Sequence, residues 1–190
     1  MRYEIGIVGS GGQGVILMGI ILAKAITASQ ELFIAQAQSF DPAVRGGRAE
    51  SYLVMSDEEI DYPSISGFDL LLVLSQEGCE RNIKKLKKEA LLVTDSELVK
   101  EATWGKILKI PFTKIARESF NNERVANMIA LGVLTELCEY IPSSAIKASI
   151  SSEFRGEMLN LNLSAFQKGI EMAEFQKFNF ETMEEEDREI

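Results

Sequence analysis

The stretch Tyr3–Ala28, YEIGIVGSGGQGVILMGIILAKAITA, decides how the rest of the chain is read. It opens on a short apolar run, Ile5 to Val8, which reads as a strand. Four glycines follow within six positions, Gly9, Gly11, Gly12 and Gly14. After them comes a long run of helix formers without proline. Strand, tight turn and helix is the reading. Glycine is needed where the chain turns sharply and a Cβ would block close approach. Such a turn collects backbone N–H groups at the positive end of a helix, where an anion is welcome.

The spacing Gly9-x-Gly11-x-x-Gly14 fits the dinucleotide fingerprint in the strand-to-helix context it requires. That fingerprint also wants an acid about 20 residues on, at the end of the second strand, to hold a ribose. The region reads Phe33-Ile34-Ala35-Gln36-Ala37-Gln38 and holds no acid; Asp41 comes late, just before Pro42. The turn therefore speaks for a phosphate-bearing ligand, or for close packing of helix on strand, more clearly than for NAD.

At 190 residues, one domain with one full core is the default. The longest apolar runs, such as Val15 to Ala23 and Leu70 to Leu74, are far shorter than a membrane span, and the start carries no signal-peptide pattern. A cytoplasmic protein is expected. The net charge of −9 disfavours nucleic acid and anionic membrane as general partners. Two cysteines, Cys79 and Cys138, are too few for an iron–sulfur cluster and suit no disulfide framework. They read as core or half-buried thiols. Histidine is absent, which removes Ser-His-Asp and Cys-His nucleophiles and histidine zinc sites from this chain. If the protein belongs to an enzyme, much of the chemistry is expected on another chain or a cofactor.

Along the sequence, Leu32 to Phe40 reads as the second strand, broken at Asp41-Pro42. Arg45-Gly46-Gly47-Arg48 makes a second glycine turn, and Ala49 to Met55 a further strand. Asp57, Glu58 and Glu59 read as a solvated acidic loop. Asp69 to Ser75 reads as a central strand covered on both faces. A surface helix is expected from Glu77 to Glu89, with its lysines in solvent. Leu91 to Thr94 and Lys106 to Ile110 read as two more strands. From Glu123 the texture turns helical: one helix broken by Pro142, the next capped by Ser143-Ser144, and a last from Met158 to Phe178. The expectation is a three-layer α/β/α fold with a mainly parallel, Rossmann-like central sheet and a helical C-terminal part. Residues 1–180 form a single domain, and the acidic tail, residues 181–190, is expected to be disordered.

Four motifs then carry a resemblance. Gly11-Gly12-Gln13-Gly14-Val15, Pro42-x-x-Arg45-Gly46-Gly47, Asn127-x-x-x-Leu131-Gly132 and Asn162-x-x-Ala165-Phe166-x-x-Gly169 occur in that order. Together, over residues 3 to 177, they resemble the gamma subunit or gamma domain of 2-oxoacid:ferredoxin oxidoreductases, whose members act on pyruvate, 2-oxoglutarate, 2-oxoisovalerate and indolepyruvate. The chain departs from the family in one loop: Phe40-Asp41-Pro42-Ala43 stands where Tyr-Gly-Pro-Glu is usual. The resemblance implies a complex that oxidatively decarboxylates a 2-oxoacid with coenzyme A to acyl-CoA, CO2 and reduced ferredoxin, with 2-oxoglutarate or a related 2-oxoacid as substrate. It implies thiamine diphosphate and Mg between alpha and beta subunits, and iron–sulfur clusters on beta or delta. Ferredoxin is reached through the complex. This chain would be catalytically silent alone. Whether the isolated chain is a homodimer stays open, since a surface built for partners can pair with itself when they are missing.

The candidate binding residues are Gly9, Gly11, Gly12, Gln13 and Gly14 with Arg45, Gly46 and Gly47; no catalytic or metal residue is assigned. Arg45 or Arg48 offers a bidentate fork for a phosphate. Coenzyme A is the phosphate-rich ligand the resemblance supplies. Two other readings stay open: both turns dock the alpha subunit, or Arg-Gly-Gly is only a turn. Gln13 bonds either a ligand or a neighbouring loop. Asn127 and Asn162 cap or bridge backbone, or face a partner chain. The competing function is a free-standing NAD- or flavin-binding domain.

Overall fold

The computed structural model describes residues 1–29, 32–41 and 47–188, with side chains for all of these except 29 and 176–188. Pro42, Ala43, Val44, Arg45 and Gly46 lie outside the described residues. Six strands form one sheet: β1 (Arg2–Ser10), β2 (Phe33–Phe40), β3 (Arg48–Ser56), β4 (Phe68–Val73), β5 (Leu86–Asp95) and β6 (Lys106–Ile110). Their order is β2-β3-β1-β4-β5-β6. β1, β4, β5 and β6 are mutually parallel. β3 is antiparallel to both its neighbours, so β2 runs with β1 and only β3 is reversed. The sheet is mainly parallel, as expected, but β3 separates β1 from β2 where a simple Rossmann sheet would join them.

The helices are α1 (Val15–Ser29), α2 (Gln76–Asn82), α3 (Phe112–Phe120), α4 (Ala126–Leu137), α5 (Ser143–Glu153) and α6 (Gly156–Arg188). Their apolar positions put the larger core on one face of the sheet. In α1, Val15, Met18, Ile21, Leu22, Ala25 and Ile26 are buried, a three- and four-residue spacing that turns one stripe inward. They meet Ile5 and Ile7 of β1, Leu70 and Leu72 of β4, and the apolar faces of α3, α4, α5 and α6. The other face is covered more thinly. There α2 and the segment after β5 pack Cys79 and Val99 against Val8, Leu71, Val73 and Leu92.

Gly132 of α4 and Gly169 of α6 let two helices touch through backbone. A Cβ on Gly132 would lie 2.2 Å from the Phe166 carbonyl oxygen, and one on Gly169 2.0 Å from that of Ile129. Gly132 is thus the point of closest packing of α4 on α6.

Two boundaries differ from the sequence reading. The helix expected to reach Glu89 ends at Asn82, a 3-10 turn covers Ile83–Lys85, and β5 starts at Leu86. Phe68 pairs with Leu86, and pairing resumes at Leu70 with Leu91, so Lys87, Lys88, Glu89 and Ala90 form a bulge. Lys87 is held there by Asp69 at 2.6 Å. Tertiary pairing overrides the helix propensity of the lysine run. At α5, Pro142 is the N-cap and Ser143 is the first helical residue. α6 runs on to Arg188, across much of the acidic stretch 181–190.

At the amino end of β1, Glu4 is fully buried. It accepts from Arg2 Nε at 2.7 Å, Ser66 N at 3.0 Å and Gly67 N at 2.8 Å. Burial alone would raise its pKa, but these hydrogen bonds outweigh it and hold the carboxyl below the usual range. This network ties the loop before β4 to the sheet, at the edge away from the glycine turn.

Candidate functional site

The carboxyl ends of β1, β4, β5 and β6 lie along one edge, and open α/β sheets hold ligands at such an edge, where successive crossovers diverge. Here the divergence is between β1 and β4, because α1 leads toward β2 and α2 toward β5. The glycine turn stands at that point. Gly9 is still in β1, paired with Ala49; the turn itself is Gly11 to Gly14. Gly12 and Gly14 have φ of +93° and +72°, the left-handed region where glycine carries no steric cost.

Gln13 is used by the protein itself. Its Oε1 accepts from Ser10 N at 2.6 Å, and its Nε2 donates to the Leu74 carbonyl at 2.7 Å. It thereby fastens the turn after β1 to the end of β4. Gly9 makes room for this: a Cβ there would meet Gln13 Oε1 at 2.5 Å. Gly14 does the same for Asn127, whose Nδ2 would be 2.1 Å from an added Cβ. Asn127, at the start of α4, is 7 % exposed, and its Oδ1 is buried without a hydrogen-bond partner. Asn162 instead donates to the Met158 carbonyl of its own helix, at 2.7 Å.

The two glycine turns do lie side by side. Gly11 N donates to the Gly47 carbonyl at 2.7 Å. Arg45 and Gly46 fall outside the described residues, so this bond and Arg48 define the junction. Arg48 donates to Ser39 Oγ at 3.1 Å, and its Nε is buried without a hydrogen-bond partner among the described residues, 3.9 Å from Glu50. Beneath it, Glu50 accepts from the Tyr52 hydroxyl at 2.6 Å and from Asn82 Nδ2 at 3.2 Å. Burial, then the bond to Glu50, pushes the Tyr52 phenol upward, so it stays a donor at any physiological pH.

A hollow opens on each side of the glycine turn. One, of about 320 Å³, lies over the divergence point between Gly12, Leu74, Asp95, Thr113, Arg124 and Asn127. Its floor is rigid: Asp95 accepts from Thr113 N at 2.9 Å, Thr113 Oγ at 2.6 Å and Glu97 N at 2.9 Å. The other hollow, of about 590 Å³, lies between the two turns. Its polar end is Gly12, Asp41, Gly47 and Arg48; its apolar wall includes Leu17, Ile20 and Phe40. The sequence reading missed Asp95, Thr113 and Arg124; Asp95 at the end of β5 and Thr113 just past β6 stand where parallel strands mark such positions, whereas Arg124, in the turn before α4, carries no such signal.

The geometry speaks against an NAD site of the Rossmann kind. Asp41 does follow β2, but β3 puts the end of β2 two strand spacings, about 9–10 Å, from β1. Cys79 and Cys138 are both buried, and burial pushes the Cys138 thiol up to about 11. Neither is a thiolate nucleophile at neutral pH. No helix among the described residues is long and apolar enough to cross a membrane.

Comparison with known proteins agrees with this arrangement. The chain is 36% identical over 177 residues to the 2-oxoglutarate synthase subunit KorC of Methanocaldococcus jannaschii, covering 91% of this chain and 95% of that one. Its fold superposes with a TM-score of 0.81 on the gamma subunit of a keto/oxoacid ferredoxin oxidoreductase from Geobacter sulfurreducens, at 34% identity, covering 91% of this chain and 97% of that one. The same TM-score, at 28% identity, relates it to the 2-oxoglutarate:ferredoxin oxidoreductase of Magnetococcus marinus. That structure holds 2-oxoglutarate, coenzyme A and succinyl-CoA, and the match covers 91% of this chain but 31% of that longer one. Residues 4–172 match the pyruvate ferredoxin/flavodoxin oxidoreductase family. On a family match over residues 4–172, and on 36% identity to a relative across 91% of its length, the chain belongs to the pyruvate ferredoxin/flavodoxin oxidoreductase family.

Proposed function

We propose that this chain is the gamma subunit of a 2-oxoglutarate:ferredoxin oxidoreductase, and that its glycine-turn edge helps to hold coenzyme A. The observation that carries the reading is the full-length correspondence with the 2-oxoglutarate synthase subunit, 95% of that chain at 36% identity. The complex would convert 2-oxoglutarate and coenzyme A to succinyl-CoA and CO2, passing two electrons to ferredoxin. Thiamine diphosphate, Mg and iron–sulfur clusters belong on alpha, beta or delta partners in this reading. The chain's own chemistry supports that division, since it has no histidine and buries both thiols. Residues 1–180 act as a single gamma-type domain, and the setting is the cytoplasm, where coenzyme A is available.

Within the chain, the residues at the junction of the two turns fit a phosphate-bearing ligand. Arg48 Nε has no hydrogen-bond partner among the described residues, and the amides of the first turn of α1 have none within the helix. Leu17 and Ile20 supply an apolar wall for the uncharged part of such a ligand. These residues bind and orient; none transfers a proton or an electron. Gly12, with open space where a Cβ would stand, lets backbone approach the ligand, while Gly9 and Gly14 make room for Gln13 and Asn127, and Gln13 fixes the turn's shape.

Affinity capture on a tagged chain tests the assignment: larger thiamine-containing subunits and 2-oxoglutarate-dependent ferredoxin reduction are expected in the eluate. Recovery of the chain without them refutes it. Calorimetry with coenzyme A on the complex tests the site separately. Arg48→Ala is expected to weaken binding roughly tenfold or more, as loss of a charge-assisted hydrogen bond does; unchanged affinity removes Arg48 from the site.

A further inference from the structure

The open edge of the sheet carries an unusual strand. β2, Phe33–Phe40, reads FIAQAQSF and holds no charge and no proline. Its pairing with β3 runs without a bulge from Phe33 to Phe40. Among the described residues β2 hydrogen-bonds to β3 alone, so its outer backbone row is open. Natural proteins blunt such edges with charge, proline, bulges or short length, because a long flat uncharged edge recruits another strand. This edge has none of these devices. Phe33 and Phe40 are 49% and 66% exposed, and Ile34, Ala35, Gln36 and Ala37 are only partly covered.

The sequence of the strand says what it recruits. In an antiparallel pair made by a two-fold axis through the sheet, directly opposite residues share a face, so their numbers sum to an even value. With the axis at Ala37, Ile34 stands opposite the partner's Phe40, Gln36 opposite the partner's Gln38, and Ala35 opposite the partner's Ser39. Apolar meets apolar at Ile34 and Phe40, amide meets amide between, and small residues sit at the axis; only the outermost Phe33 stands opposite a charged residue, the partner's Asp41. Gln36 already donates to Ser51 Oγ at 3.0 Å, which leaves its carbonyl oxygen to accept from the partner's Gln38. Ile34, Gln36, Gln38 and Phe40 lie on the face covered by α1, because Gln36 pairs with Leu53 of the α1-side core. The neighbouring surface of α1 is apolar too, with Ile16, Leu17 and Ile20 partly exposed. A self-complementary patch of this kind is what an isologous interface needs.

We propose that β2 is a self-pairing edge: two copies of this chain join antiparallel through β2, centred on Ala37, into one twelve-stranded sheet. This rests on the fold alone, so the outcome of subunit capture leaves it standing. The test is the solution mass of the purified full chain by light scattering, with disulfide trapping. The Cα atoms of opposite residues in such a pair are about 4.5–5.5 Å apart, within reach of a disulfide. Ala37→Cys is therefore expected to give a near-complete cross-linked dimer on mild oxidation. Ala35→Cys, whose two copies lie about 13 Å apart along the strands, gives little. Gln38 is exposed, so Gln38→Lys leaves the fold intact and is expected to shift the protein to the mass of one chain. A wild-type chain at the mass of one at micromolar concentration overturns the proposal. So does a dimer that Gln38→Lys does not weaken and Ala37→Cys does not trap. So, finally, does a monomer in which Gln38→Lys weakens capture of a larger subunit, which would give the edge to that subunit instead.

Discussion

The tightest constraint at the site is the pairing of Gly14 with Asn127, and Gly14→Ala tests it. Two costs are expected. The residue sits at φ +72°, where an L side chain costs about 1–2 kcal/mol. The new Cβ would also meet Asn127 Nδ2 at 2.1 Å and Cγ at 2.9 Å, and Asn127 is buried in a packed wall. Overpacking of that kind costs about 1–3 kcal/mol. Gly12→Ala separates the two terms, because Gly12 has φ +93° but nothing within 4 Å of a Cβ. It should lose only about 1–2 kcal/mol. Gly14→Ala should lose about 3 kcal/mol, or roughly 6–12 °C in Tm for a chain of this size. Asn127→Ala in the Gly14→Ala background should restore the packing part, a favourable coupling of about 1–3 kcal/mol. Urea unfolding followed by far-UV circular dichroism measures the wild type, Gly12→Ala, Gly14→Ala, Asn127→Ala and the double variant. A Gly14→Ala chain as stable as Gly12→Ala, or a double variant with no coupling, would show that Asn127 does not press on the turn.

Other perturbations reach different parts of the molecule. Gly169→Ala places a Cβ 2.0 Å from a backbone oxygen of α4, so the helices must part and Tm should fall despite the better helix former; an unchanged Tm refutes the close crossing. Gln13→Ala removes bonds to Ser10 and Leu74 and should cost about 1–3 kcal/mol in urea unfolding, whereas a merely exposed glutamine costs little. The Glu4 carboxyl has its pKa lowered by folding, so its contribution is complete above the unfolded value, about 4.3, and drains away as pH falls through the folded one. Glu4→Gln should therefore lower stability at neutral pH and flatten its acid dependence; an unaltered slope below about pH 4 refutes this. Cys79 and Cys138 should resist iodoacetamide in the folded chain at neutral pH and react fully in denaturant, since burial raises both thiols. Rapid alkylation of either in the native protein contradicts its burial.

Local pattern and composition determined much of this protein unaided. The apolar run at Ile5–Val8 and its four glycines announced the strand, turn and helix, because backbone freedom is written in residue type. The unbroken run Leu70–Leu74 marked a strand covered on both faces, and the absence of histidine removed imidazole chemistry from this chain. What the sequence could not show is which strand lies beside which. Only the tertiary structure inserted reversed β3 between β1 and β2, setting the end of β2 one strand further from β1, and only pairing with β4 drew Lys87–Glu89 out of a helix and into a bulge. It alone set Gln13 between Ser10 and Leu74, and Asn127, more than a hundred residues on, against Gly14. The physical reason is range: propensity and periodicity act over a few neighbours, while register and packing are settled by contacts between segments whose separation along the chain leaves no local trace.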